Sequence, residues 1–207
     1  MIYLFVFFIS IFFIVLGLNQ KNRRIGLVLE LMGLLIPCIL AGVRSYDVGT
    51  DTSGYPLKLY NFVSEGYSFK QLIYFSDLWY YSKDMVYLLI TYFVSHNNIS
   101  FQFYLFILEL LVIFPYYYSL KINEKLTNKS VVFGMLIFYL VFYNLSLNMI
   151  RQSIAISFII LSFTIFKNKN IKSNKKRKFS SLFFFCMAYG FHNTTLFSLP
   201  FYILYLY

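Results

Sequence analysis

The stretch at residues 25–52, IGLVLELMGLLIPCILAGVRSYDVGTDT, changes from apolar to charged within a few positions. Residues 25–43 are almost entirely apolar and match the roughly 20 residues that a helix needs to cross a bilayer. An arginine, a glycine and two aspartates follow within residues 44–51. A connector between two helices does not need these residue types. The sequence therefore predicts a membrane span that ends in a compact, functional turn.

The composition of the whole chain extends this interpretation. Of its 207 residues, 59% are hydrophobic and 13% are charged, whereas soluble domains carry about 25% charged residues. We therefore exclude a soluble domain and expect the lipid bilayer as the surroundings of the chain. Seven basic residues lie within residues 167–178, between two apolar segments. This pattern is typical of a cytoplasmic loop under the positive-inside rule, so no nucleic acid is expected as a partner.

The apolar segments predict an all-α fold, a polytopic transmembrane helix bundle that forms a single membrane domain over residues 1–207. About seven spans are predicted, at residues 1–18, 25–43, 101–119, 131–147, 150–166, 179–191 and 194–207. Residues 85–95 would cover roughly 16 Å as a helix, about half of the hydrocarbon core, so they are predicted to be a re-entrant or short helix. Residues 44–84 show no positive excess and are predicted to be an outer loop that includes an amphipathic helix.

This topology places the turn at residues 148–152 and the turn around His192 on the outer side, together with the charged turn after the second span. Arg44, Asp47, Asp51, Arg151 and His192 are then expected at one face of the membrane. A competing topology makes residues 85–97 a full crossing. That topology places the lysine-rich loop outside, which the charge rule disfavours.

Two further stretches carry groups suited to chemistry. NMIRQSIA, at residues 148–155, places Arg151 beside Gln152 in an otherwise apolar span. An ionisable residue costs about 2.5–3.5 kcal/mol at the centre of a membrane helix, which favours a functional role over an arginine that reaches for lipid headgroups. GFHNTT, at residues 190–195, ends an apolar span with His192, which is either a general acid–base group or a polar helix cap.

Motifs for several other activities are missing from the sequence. It contains no GxxxxGK[ST], HExxH, CxxC or GxSxG pattern, so it gives no support to ATP hydrolysis, zinc proteolysis or serine hydrolysis. No metal site and no cofactor are expected.

Four short motifs occur in a defined order along the chain. They are the turn AGVRSYDVGTDTSGY at residues 41–55, an apolar piece opened by an acidic residue at 84–95, N-x-I-R-Q-x-I-A at 148–155, and Phe-His at 191–192. This order resembles the EpsG family, the Wzy-like polymerases of bacterial exopolysaccharide and capsule, over about residues 25–200. Members of that family usually carry further spans, so the resemblance implies a truncated or short variant.

The resemblance implies that the protein joins repeat oligosaccharides carried on polyprenyl diphosphate, at the outer face of the bacterial cytoplasmic membrane. The resemblance implies that the diphosphate is bound by Arg44, Arg151 and Gln152. It also implies that a base abstracts the proton of the acceptor hydroxyl; this base is Asp47, Asp51 or His192, with an aspartate favoured. A flippase and a chain-length regulator are the implied protein partners. Three alternatives stay open: a related membrane glycosyltransferase or ligase, a non-enzymatic transporter of lipid-linked glycan, and an inactive fragment.

Overall fold

The structure, a computed structural model, describes residues 2–45, 48–49, 52–77, 84–123, 127–168, 171 and 173–206. Within these ranges the chain forms α-helices, one π-helical segment and one 3₁₀ segment, and no strand. The α-helices are α1 (Ile2–Leu18), α2 (Arg23–Val43), α3 (Tyr55–Ser64), α4 (Phe69–Asp77), α5 (Met85–His96), α6 (Phe101–Ile122), α7 (Asn128–Ile137), α8 (Tyr143–Asn148), α9 (Ile150–Lys167), α10 (Asn174–Phe191) and α11 (Leu199–Leu206). The π-helical segment, Phe138–Phe142, joins α7 to α8, and the 3₁₀ segment, Asn193–Ser198, joins α10 to α11.

Among the described residues, four helices are long and apolar enough to cross a membrane, so the prediction of an all-α chain with several membrane spans is confirmed. They are α2, α6, α9 and the continuous helix Asn128–Asn148 that α7, the π-helical segment and α8 form together. The predicted count of about seven spans is not confirmed. α1 and α5 are shorter apolar helices, and α10 begins in the lysine-rich stretch.

The predicted span at residues 194–207 has a different internal structure from the single helix that was expected. It contains all but the first residue of the 3₁₀ segment, followed by α11, a helix of eight residues. Hydroxyl groups produce this break, because Thr195 donates to the carbonyl of His192 at 2.6 Å and Ser198 donates to the carbonyl of Thr195 at 2.7 Å. The predicted outer loop, residues 44–84, folds in part into α3 and α4.

α1 and α2 pack closely around the proline inside α2. Pro37 has no N–H group, so the carbonyl of Gly33 loses its helical partner. The Ser10 hydroxyl donates to this carbonyl at 2.6 Å, and the Tyr139 hydroxyl lies 2.8 Å from the Ser10 oxygen. A Cβ atom on Gly33 would lie only 2.8 Å from the backbone oxygen of Ser10, so glycine permits this approach. The bilayer supplies no water to satisfy such a carbonyl, which explains the hydroxyl at this position.

α6 lies at the centre of the bundle, between α2 on one side and α9 on the other, and α9 also packs against α10. α5 contacts α3 and α10 at one end of the bundle. The helical path breaks at Met149, whose φ of −110° and ψ of 61° are not helical, so α9 begins anew at Ile150. These packings bring the beginnings of α5 and α9 and the end of α10 together.

Candidate functional site

Asp84 is the residue directly before α5, and its carboxylate lies at the meeting point of three helices. The Nη1 group of Arg151, from α9, donates to Oδ2 of Asp84. The Nδ1 atom of His192, at the end of α10, lies 3.7 Å from the same oxygen. Only 4% of the Asp84 side chain is exposed. We call Asp84, Arg151 and His192 the Asp84 cluster.

A close contact between α5 and α10 produces this arrangement. Gly190 lies two residues before His192, and Val86 lies two residues after Asp84. A Cβ atom on Gly190 would lie 2.3 Å from a methyl carbon of Val86. Glycine therefore lets the two helices approach closely enough to place His192 beside Asp84.

Arg151 occupies a position where a positive charge is unfavourable on its own. It is the second residue of α9, near the positive end of the helix dipole. The Asp84 carboxylate compensates this charge, and the ring of Tyr55 faces the guanidinium with its centroid 4.3 Å from Cζ. The Arg151 side chain is only 12% exposed. Burial of a charged side chain within a membrane protein is costly, and an arginine in such a position is typically retained for binding or chemistry.

His192, a member of the Asp84 cluster, also lines an open groove of about 520 Å³. Its Nδ1 atom is buried and has no hydrogen-bond partner among the described residues, and its side chain is 22% exposed. Gln152, Thr194, Thr195 and Ser198 add polar groups to the groove. Apolar residues line the remainder: Ala155, Ile156, Ile159, Phe197 and Phe201. The groove therefore combines a polar mouth with an apolar wall.

Arg44 anchors the charged turn to the break between α8 and α9. Its Nη2 group donates to the Thr52 hydroxyl oxygen at 2.9 Å and lies 3.5 Å from the carbonyl oxygen of Leu147. Gly49 has a φ of +94°, and a Cβ atom there would lie 2.5 Å from that same carbonyl oxygen. Only glycine fits this left-handed conformation and this approach. Burial lowers the pKa of the Arg44 guanidinium, and the negative charge of Glu109 opposes that effect.

Comparison with known proteins gives one match. The model of the EpsG family matches residues 27–207. The chain belongs to the EpsG family. The matched residues include every member of the Asp84 cluster and the turn that Arg44 anchors. No curated protein and no solved structure matches the chain.

Membership of the EpsG family, together with several long apolar helices, identifies a multi-pass membrane protein. The family also suggests a role in polysaccharide biosynthesis of the Wzy-like polymerase kind, with a lipid-linked oligosaccharide as substrate. The match to the family model confirms the resemblance that was predicted from the sequence.

The structure brings several residues predicted for the site of this EpsG protein to one end of the bundle. Arg151 and His192 meet at Asp84, and Gln152 lines the groove beside His192. Arg44 contacts Leu147, four residues before Arg151 in sequence. Asp47 and Asp51 lie outside the described residues. The roles assigned to all six residues stay predictions.

Sequence reasoning gave no role to Asp84, although this residue connects Arg151 and His192. A signal was present, because Asp84 is the acidic residue that opens the short apolar helix in the motif order of the EpsG family. Tyr55 was also missed, although it ends the charged-turn motif. Among the residues that the structure describes, no group of three or more histidine, cysteine or acidic side chains could hold a metal ion.

Proposed function

We propose that this EpsG protein polymerises lipid-linked oligosaccharide repeat units into exopolysaccharide or capsule, at the outer face of the bacterial cytoplasmic membrane. The observation that carries the proposal is the position of the Asp84 cluster beside the groove. His192 belongs to both, so a buried ion pair adjoins a space with a polar mouth and an apolar wall. A substrate with a charged headgroup and a hydrocarbon tail needs this combination.

The shape of the groove suits a polyprenyl diphosphate. Along α9 its lining runs from Gln152 to Ile159, which covers roughly 10 Å at 1.5 Å per residue. Polar side chains lie near the start of α9, and Ile156, Ile159 and Phe201 continue the lining as an apolar surface. We assign the diphosphate to the polar mouth and the first part of the lipid tail to the apolar wall.

Arginine and the helix terminus supply positive potential at this mouth. Arg151 presents a planar guanidinium, which matches the oxygens of a phosphate group. The amide groups in the first turn of α9 have no partner within the helix, and a helix N-terminus of this kind favours an anion. Arg44 adds a second guanidinium next to the α8–α9 break. We assign both arginines to the diphosphate, whose negative charge grows as the glycosyl bond breaks.

We assign proton abstraction to His192. Its Nδ1 atom faces Asp84, which leaves Nε2 to accept a proton from the acceptor hydroxyl. In this reaction the bond between the anomeric carbon of the growing chain and the diphosphate oxygen breaks. The acceptor hydroxyl oxygen forms the new bond to that carbon, His192 takes the proton, and polyprenyl diphosphate leaves. Asp84 orients the imidazole and balances its charge after proton transfer.

Deletion of the gene in its host, followed by analysis of polysaccharide length, tests the proposal. We expect single repeat units in place of long chains, and restoration of long chains by the wild-type gene. Arg44→Ala and Arg151→Ala should fail to restore them. Arg24→Ala is a matched control, because Arg24, like Arg151, is the second residue of a long apolar helix, and its side chain is exposed.

Two results would contradict the proposal. Long polymer in the deletion strain would show that another protein performs the polymerisation. Equal restoration by Arg151→Ala and Arg24→Ala, at matched protein levels, would show that the Asp84 cluster is not the site.

A further inference from the structure

A cleft separate from the groove beside His192 lies at the other end of α2, away from Arg44. It has a volume of about 410 Å³ and lies between α2, α6, α9 and α10. The proposed polymerisation makes no use of it. Its wall is apolar over most of its length, and several of its residues are exposed, among them Leu31 at 44% and Tyr118 at 55%.

Basic side chains line one end of this cleft. Arg23 and Lys121 both pair with Glu30, and the Tyr117 hydroxyl donates to Glu30 at 2.9 Å. Two positive charges therefore surround one negative charge, which leaves a net charge of +1 at this end. Arg23 is 64% exposed, so its guanidinium can contact a further anion while it stays near Glu30.

The depth of the cleft matches one leaflet of a bilayer. From Arg23 to Leu34, α2 rises by roughly 16 Å, and from Lys121 to Leu110, α6 covers the same length. Half of a hydrocarbon core of about 30 Å is about 15 Å. An acyl chain laid along the cleft therefore places its headgroup at the basic end.

We propose that this cleft binds an anionic phospholipid, with the phosphate at Arg23 and Lys121 and an acyl chain against the apolar wall. Three features select this occupant: the net positive charge, the one-leaflet depth and the exposed tyrosine at headgroup level. The predicted topology places this end at the cytoplasmic face, where anionic lipids are abundant. The site is distinct from the groove beside His192 and does not depend on the proposed polymerisation.

Native mass spectrometry of the detergent-purified protein tests the proposal. The probes are phosphatidylglycerol and phosphatidylcholine with identical acyl chains. We expect a bound phosphatidylglycerol and weaker binding of phosphatidylcholine. Arg23→Ala should weaken phosphatidylglycerol binding about fivefold, the expected contribution of one basic side chain near a lipid surface. Arg24→Ala removes the same charge outside the cleft and should leave binding unchanged.

A second pair of variants tests the cleft without altering its charges. Leu31→Trp fills the cleft and should reduce binding of phosphatidylglycerol. Val28→Trp is its control, because Val28 is exposed on the same helix and does not line the cleft. Equal binding of the two lipids, or equal effects within either pair of variants, would overturn the proposal. A dimer that forms without bound lipid and is abolished by Leu31→Trp but not by Val28→Trp would also overturn it, because it would identify a second protein chain as the occupant.

Discussion

Two buried carboxylates at opposite ends of the bundle, Glu30 and Asp84, are each held by basic side chains, yet their surroundings differ. Both oxygens of Glu30 have partners, since Arg23 contacts Oε1 while Lys121 and Tyr117 contact Oε2. Glu30 lies in the first turns of α2, where this complete set of partners stabilises it. Removal of one partner from a buried ion pair is destabilising, and the paired Glu30 carboxylate leaves no group ready for proton transfer.

Asp84 has a less complete set of partners. Arg151 and His192 share its Oδ2 atom, and the distance to His192, 3.7 Å, is longer than a hydrogen bond. The His192 Nδ1 atom has no hydrogen-bond partner among the described residues, and the histidine lines an open groove. Buried polar groups are normally satisfied. This difference supports the proposal that the Asp84 cluster takes part in the reaction, whereas Glu30, with partners on both oxygens, connects α2 to α6.

Replacement of Arg151 should have the largest effect. We expect Arg151→Ala to reduce the polymerisation rate by about 10²- to 10³-fold, the loss typical when one charge-stabilising donor is removed from an enzyme. Arg151→Lys keeps the charge without the planar guanidinium and should recover only part of the rate. The measurement is polymer length and yield in the deletion host, normalised to protein level. A fully active Arg151→Ala would remove the arginine from the mechanism.

Neutralisation of Asp84 and of Glu30 should have different effects, one mainly on activity and the other mainly on stability. Asp84→Asn should lower polymerisation about 10- to 100-fold. This is the range found when residues that orient the ligands of a metal site are replaced, and Asp84 is proposed to orient His192 in a similar way. Glu30→Gln should instead lower the free energy of unfolding by about 1–3 kcal/mol, because it weakens buried hydrogen bonds. Thermal unfolding in detergent and polymer length measure the two effects. If both variants lost activity and stability in the same proportion, the proposed difference between Asp84 and Glu30 would be contradicted.

Gly190→Ala should affect the Asp84 cluster through packing alone. The added methyl group collides with Val86 and forces α5 and α10 apart, at a cost of about 1–3 kcal/mol. His192 then moves away from Asp84, and polymerisation falls. Gly134→Ala is the control, since the atoms nearest to its methyl group belong to the flexible Leu120 side chain, at 2.8 Å and at a different helix contact. A similar loss of activity in the control would indicate a general packing effect.

Thr52→Val should have the smallest effect of the series. It removes the hydroxyl that accepts from Arg44 at 2.9 Å and leaves a side chain of similar shape. We expect a loss of about fivefold or less in polymerisation, which corresponds to the roughly 1 kcal/mol of a typical hydrogen bond. Thr52→Ser keeps the hydroxyl and should stay close to wild type. A larger loss in Thr52→Ser than in Thr52→Val would contradict this role for the hydroxyl.

The fold could be predicted from sequence where long apolar runs decide it. α2 and α9 begin and end close to their predicted limits, because charged residues or a backbone break define both ends. Residues 194–207 were harder, because hydroxyl groups of Thr195 and Ser198 form local turns inside an apolar run. Hydropathy does not record that competition between side chains and the helix backbone.

Individual residues of the candidate site could be predicted from the sequence, but the contacts between them could not. Arg151 and His192 were found because charged or titratable groups beside apolar spans are costly. Asp84 was missed as their common partner, since its role depends on the close contact of Gly190 with Val86 across more than 100 residues of sequence. Pairings of this kind depend on tertiary packing, which residue types and spacing do not specify.

Reconstitution of the reaction tests the central claim most directly. Membranes of the deletion host supply the unpolymerised lipid-linked repeat units, and purified protein is added in vesicles. Wild-type protein should release polyprenyl diphosphate and form products of two or more repeat units, and His192→Ala and Arg151→Ala should do neither. Release and product formation at wild-type rates by His192→Ala, or neither by the wild-type protein, would contradict a polymerase site at the Asp84 cluster.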